Sequence, residues 1–228
     1  LLSASTGRPG DTVLAGVRLQ MDPGWHTYWK NPGDSGGPTK IAWQLPPGVS
    51  AGDIQWPLPE KLTLEEVTTY IYHDEVMLLV PLKLAADLKP GPLELKAEVS
   101  WLECDKLCLK GDARVTGALE IAAATKASAN ATLLETARGN LPKPATGPSA
   151  RGAWEKPATS DSRTLMLEWS PAAPVSEPDF FPDAYDAFEV QSATEIISAG
   201  ADKIRLRKGV KKFEGDWPTA ISGVVIQK

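Results

Sequence analysis

Leu93-Glu94-Leu95-Lys96-Ala97-Glu98-Val99-Ser100-Trp101 alternates apolar and polar side chains without a break. Successive side chains of a strand point to opposite faces, so Leu93, Leu95, Ala97, Val99 and Trp101 share one face and the polar residues the other, the pattern of a half-buried strand. The same period recurs on both sides of this stretch. Upstream, Val13, Ala15, Val17, Leu19 and Met21 make one such face, Ile41, Trp43 and Leu45 a second, and Val76, Leu78, Val80, Leu82 and Leu84 a third. Downstream, Val115, Gly117, Leu119 and Ile121 make a fourth. Turn-forming runs separate them, among them Asn31-Pro32-Gly33-Asp34-Ser35-Gly36-Gly37-Pro38 and Leu45-Pro46-Pro47-Gly48. Short strands spaced by such turns predict an all-β chain whose residues 1–122 form an antiparallel β-sandwich.

Past this region the pattern changes. Thr125 to Leu141 is rich in Ala, Leu, Glu and Arg and ends at Gly139-Asn140 before Pro142, which predicts a helix with a stop signal that packs on, or links from, the first domain. Pro, Gly and small polar residues mark 141–149 as a linker, so residues 123–149 are read as helix and linker. Thr164–Trp169, Ala184–Val190, Lys203–Arg207 and Ala220–Ile226 read as further short strands, which makes residues 150–228 a second, smaller β-sandwich-like domain.

The 228 residues carry a formal charge of -5, and no Lys/Arg stripe is present. The densest basic stretch, Lys203 to Lys212, alternates like a strand and reads as a solvated face, so a nucleic-acid partner is not expected. No apolar run approaches the roughly 20 residues a membrane helix needs. The chain opens at Leu1-Leu2 without a signal peptide and ends in the strand-like Val224-Val225-Ile226, as a mature or trimmed segment of something longer would.

Cys104 and Cys108 are the only cysteines. A staple closing so short a loop gains roughly 2 kcal/mol by chain entropy. A pair that must open and close benefits from the short spacing, because the second thiol has to reach the mixed disulfide formed by the first. A disulfide needs Cα atoms about 4.4–6.8 Å apart, whereas four residues of straight strand span about 13 Å. The chain must therefore turn at Asp105-Lys106-Leu107, placing the pair at or near a hairpin tip. Lys106 favours a thiolate there, while Glu103 and Asp105 disfavour one.

Three readings stay open from these residues. One is a redox-active dithiol. The second is a structural disulfide in a non-catalytic β-sandwich interaction module. The third is a copper-binding tolerance protein, or more generally half a zinc or copper site that His26 and His73 would complete, although no Met/His-rich tract accompanies it. By residue type alone, Trp25, Tyr28, Tyr70 and Tyr72 are equally at home as ordinary strand packing.

Three segments, Asp22-Pro-Gly-Trp-His-Thr-Tyr-Trp-Lys-Asn-Pro-Gly-Asp-Ser-Gly36, Ile54-Gln-Trp-Pro57 and Trp101-Leu-Glu-Cys-Asp-Lys-Leu-Cys108, occur in an order and spacing that resembles the amino-terminal periplasmic domain of DsbD/ScsB-type thiol-disulfide interchange proteins. The likeness is closer to the ScsB-like, copper-tolerance branch, and it covers residues 1–122. Phe180-Phe-Pro182 and the final strands also resemble the second β domain of that branch.

The resemblance implies an immunoglobulin-like sandwich with Cys104 and Cys108 as the redox pair. It would take electrons from a membrane-embedded reductase domain, of the same or another chain, and give them to periplasmic thioredoxin-like and other disulfide proteins. It further implies a protein-disulfide reductase without a cofactor. The expected location is the periplasm, whether free or as the soluble part of an inner-membrane protein, and the expected state is a monomer.

By the same likeness Cys108 is the attacking residue. Tyr70, Ile71, Tyr72 and His73 occupy the place of an aromatic cap over the pair, and Trp25, His26 and Tyr28 match an aromatic segment beside it. Trp101, Glu103 and Lys106 complete the expected lining. Two positions depart from the family pattern: Ile71 stands where a glycine is usual, and Leu109-Lys110 lacks the proline usual after the second cysteine.

Overall fold

The computed structural model describes residues 1–144, 150–158, 160–171 and 173–227. Part of the expected linker, 145–149, lies outside the described residues. In chain order the elements are β1 (Ala4–Gly7), β2 (Thr12–Gln20), β3 (His26–Gly33), β4 (Lys40–Gln44), β5 (Val49–Ala51), β6 (Glu60–Leu64), β7 (Val67–His73), β8 (Glu75–Leu84), β9 (Gly91–Cys104) and β10 (Cys108–Ile121). There follow β11 (Lys126–Ala127), α1 (Ala131–Gly139), β12 (Arg151–Trp154), β13 (Ser162–Trp169), β14 (Pro178–Pro182), β15 (Phe188–Val190), β16 (Glu195–Ala199), β17 (Ile204–Lys212) and β18 (Gly223–Gln227). They belong to two compact units.

The first unit comprises Leu1–Trp29, Gly37–Glu60 and Ile71–Pro142. Its larger sheet is built around the β9–β10 hairpin, which stays in antiparallel register from Gly91↔Ile121 to Cys104↔Cys108. β1 adds to β10 in parallel, and β11 adds to β1. The other edge of β9 is shared, with β4 along Lys96–Ser100 and β3 at Glu103 and Cys104. A second sheet, β2-β8-β5, supplies the opposite layer. Val13, Ala15, Val80, Leu82 and Leu84 from this layer meet Leu95, Leu119, Ile121 and Ala4 from the other in one buried cluster. Two sheets, antiparallel except where β1 joins β10, share a core through their inward-facing alternate residues and make the expected immunoglobulin-like β-sandwich.

The helix is shorter than its composition suggests. Lys126 and Ala127 are drawn into pairing with β1, so α1 begins at Ala131. It belongs to the first unit, where Leu134 is fully buried against Met77 and Leu79 of β8.

The second unit comprises Lys143–Lys228 together with Lys30–Gly36 and Lys61–Tyr70. These two early segments differ from a division of the chain at simple cut points, and long-range polar bonds explain why. The Asp34 amide donates to the Thr68 carbonyl at 2.9 Å, and the Thr68 amide donates back to the Asp34 carboxylate at 2.8 Å. Ser192 donates to the same carboxylate, Asn31 Nδ2 donates to the Pro182 carbonyl, and Lys61 pairs with Asp179 at 2.8 Å. β3 and β7 thus have residues in both units.

Within the second unit one sheet runs β12-β13-β17-β15 with β16 also on β17, and β14 pairs β18. Leu165, Leu167, Trp169, Phe180, Phe188, Val190, Ile204, Leu206 and Val210 form its core. The side chain of Lys208 is buried with them. Its ammonium donates to the Ser192 carbonyl at 2.9 Å and lies 3.7 Å from Asp179 Oδ1.

Candidate functional site at the tip of the β9–β10 hairpin

Cys104 is the last residue of β9 and Cys108 the first of β10, and the bend at Asp105–Leu107 joins them. The Asp105 amide donates to the Leu107 carbonyl at 3.1 Å, which closes the turn. The sulfurs form a disulfide of 2.03 Å with Cα atoms 4.2 Å apart. The two cysteines are not equivalent: Cys104 is only 3% exposed, whereas Cys108 is exposed to solvent. An incoming sulfur nucleophile therefore has access to Cys108, and access is one of the determinants of which sulfur is attacked.

β3 sets the wall beside Cys104. His26 stands opposite Cys104 and Thr27 opposite Glu103, and the Thr27 hydroxyl donates to the Leu102 carbonyl at 2.9 Å. Directly opposed residues project to the same face of a sheet. Because Cys104 also opposes Cys108, the three side chains form a row across three strands: Cys108 on β10, Cys104 on β9, His26 on β3.

The row continues in aromatic contacts. The His26 ring meets Tyr28 edge-on at 5.3 Å and His73 edge-on at 5.7 Å between centroids. Burial, followed by the proximity of His73, pushes the His26 pKa below that of a free imidazole, and the Asp105 carboxylate partly opposes this. Burial raises the Tyr28 phenol pKa.

The remaining expected lining residues fall at various distances from this row. His73 is the cap candidate whose ring reaches it. Ile71 is fully buried, and Tyr72 is buried with its hydroxyl donating to the Pro57 carbonyl at 2.7 Å; burial holds that phenol protonated well above its ordinary range. These two and His73 line an open groove of about 560 Å³ together with Pro57, Met77 and Leu133. Tyr70 belongs to the second unit, fully buried and tilted against Phe181 at 4.7 Å, and its pKa is likewise raised by burial. Trp25 is half-buried just before β3, with its amide donating to the Asp22 carbonyl. Glu103 is half-buried opposite Thr27, and Lys106 is exposed in the turn. Trp101 lies further down the hairpin, opposite Gly111.

Gly111 and Thr27 also shape this end of the sheet. A Cβ at Gly111 would lie 2.4 Å from Trp101 Cε2, so the bare backbone is what lets the indole lie over β10. An isolated glycine inside an alternating strand is the signal that would have found it. Thr27 carries no such signal, since its role depends on which strand lies beside β3. Among the described residues no three His, Cys, Asp or Glu side chains converge in an arrangement that would hold a metal ion. Among them, too, no helix is long and apolar enough to cross a membrane.

The chemistry available at this tip is sulfur exchange: an accessible sulfur, a sheltered partner sulfur and a nearby imidazole. The full chain is similar in structure to the N-terminal periplasmic domain of ScsB from Proteus mirabilis, with a TM-score of 0.69 over 96% of this chain and 85% of that one, at 21% identity. At that identity the likeness speaks for the fold, and it extends through both units. No curated protein sequence matches the chain significantly. The sequence profile of the family described as thiol:disulfide interchange protein DsbD, N-terminal, matches residues 2–120, the stretch that contains the hairpin and its disulfide. The chain belongs to this family, and its residues 2–120 are a thiol-disulfide interchange domain.

Proposed function

We propose that this chain is a periplasmic electron-transfer module that receives a pair of electrons from a membrane-embedded reductase domain and passes them, through Cys104 and Cys108, to disulfides of periplasmic proteins of the thioredoxin type. The observation that carries this reading is the asymmetry of the pair, one sulfur open and one sheltered, at the tip of a hairpin. In the donating direction the Cys108 thiolate attacks the partner disulfide and releases one partner thiolate. Cys104 then attacks Cys108 Sγ, which closes the internal disulfide and frees the second partner thiolate. Two electrons leave with the partner, and the pair ends oxidised. The periplasmic setting is supported by the ScsB domain's own description as periplasmic.

Trapping tests the assignment of the two sulfurs. Cys104→Ala should accumulate a mixed disulfide with a thioredoxin-like acceptor, and Cys108→Ala should not; the reverse pattern would reverse the roles. The reduction potential tests the function itself. A value between about -120 and -270 mV belongs to working oxidoreductases, whereas one well below about -300 mV marks a structural bond and defeats the proposal.

A further inference from the structure

Cys104 is nearly inaccessible to water, and burial works against the thiolate that attack on Cys108 requires. A second exchange step at such a sulfur needs a proton acceptor inside the protein. His26 is directly opposite Cys104 on the neighbouring strand, with its side chain on the same face. The groups that face its ring are His73 from β7, Asp105 from the hairpin turn and Tyr28 from its own strand.

We propose that His26 is the acid–base group of the buried cysteine opposite it, with His73, whose ring meets it edge-on, as a positioning residue. The proposal rests on the exchange reading above and adds a proton route to it. With the partner sulfur bound to Cys108, a neutral His26 nitrogen takes the Cys104 thiol proton while Cys104 Sγ attacks Cys108 Sγ. The Cys104–Cys108 bond forms, the Cys108–partner bond breaks, and its electron pair leaves on the partner thiolate. His26 ends as imidazolium and returns its proton to solvent. In the receiving direction the steps reverse, and the imidazolium protonates Cys104 as it leaves. Burial and His73 lower the basicity of His26, which keeps the ring in its accepting form near neutral pH at some cost in proton affinity.

The test uses the reduced chain and an aromatic disulfide that releases thionitrobenzoate, followed by stopped-flow absorbance. The first release reports attack by Cys108 and the second reports attack by Cys104. For wild type, the second phase should slow at acid pH as His26 becomes protonated. His26→Gln should slow that phase on the order of 100-fold near neutrality and converge with wild type at alkaline pH, where the thiol ionises unaided. The first phase should change far less than the second.

In His73→Gln the loss of the neighbouring imidazole should raise the His26 pKa and move the acid limb to higher pH. A second phase that is unaltered in His26→Gln, or slowed equally at every pH, overturns the proposal. Should His26→Gln fail to reach a native fold, the wild-type profile decides, since one showing only thiol ionisation overturns the proposal equally. Because the probe is a small disulfide, a chain that exchanges with it but has a structural potential refutes the electron-transfer reading and leaves the His26 result standing by itself.

Discussion

Trp101 and Gly111 face each other across the β9–β10 hairpin, and the indole fills the space that any side chain at 111 would need: a Cβ there would lie 2.4 Å from Cε2 and 2.7 Å from Nε1 of Trp101. The glycine lets an aromatic ring brace the strands that carry the cysteines. Gly111→Ala should displace the indole, cost about 1–3 kcal/mol and change the near-ultraviolet dichroism. Urea unfolding compared with wild type measures the first effect. Unchanged stability would mean that the ring has an equally good alternative position.

Leu134 and Gly16 make a comparable pair within the first unit. A Cβ on Gly16 of β2 would lie 2.3 Å from Leu134 Cδ2, so the one fully buried side chain of α1 is set against bare backbone. Leu134→Ala should cost about 2–5 kcal/mol by loss of burial and the cavity left behind. Gly16→Ala should destabilise through overpacking by about 1–3 kcal/mol. Thermal denaturation of both variants checks the two effects, and their sum should fail in the double variant, because the smaller residue at 134 makes room for the larger one at 16.

The second unit should carry its own pH dependence, centred on Lys208 and Asp179. Desolvation lowers the Lys208 pKa from 10.5 to about 8, even though Asp179 supports its charge. A group less basic folded than unfolded binds fewer protons in the native state, so stability rises with pH between about 8 and 10.5. Lys208→Met should flatten that rise in urea titrations.

Asp179 responds at the other end of the scale. Burial opposes its ionisation, but Lys208, Lys61 and Thr194 outweigh burial and hold its pKa below the ordinary carboxylate value. Its contribution is therefore complete above the ordinary carboxylate range and is lost as pH falls through the lower folded value. Asp179→Asn leaves the buried ammonium without its counter-ion and should cost about 3–5 kcal/mol at neutral pH. A variant as stable as wild type would show that Ser192 alone satisfies Lys208.

Much of the first unit was legible in the chain because its signals are local. The alternation of residues 93–101 follows from the two-residue period of a strand, and it was read directly as the central β9. The turn at Asp105–Leu107 followed from the geometry two linked cysteines require, and the structure has a bend there. Residues 30–36 and 61–70 were not legible as parts of the second unit. Asp34 and Thr68 exchange two hydrogen bonds across a long stretch of chain, and nothing in the composition near either residue reports the other. The helix was anticipated in kind but not in extent, since pairing of Lys126 and Ala127 with β1 prevails over a helical composition.

The sequence by itself determined the site's pair of cysteines, four positions apart in a chain with no others, a spacing compatible with exchange, with a structural disulfide and with half a metal site. Only the tertiary structure decided which sulfur is sheltered and what stands beside it. Burial belongs to a site rather than to a residue type, and Cys104 became the buried one because β3 pairs along its edge while Cys108 remains open. The same pairing set His26 against Cys104 and brought His73 to His26 from a distant part of the chain. Strand register is a long-range property, fixed by which hydrophobic faces close the sandwich, and no local pattern encodes it.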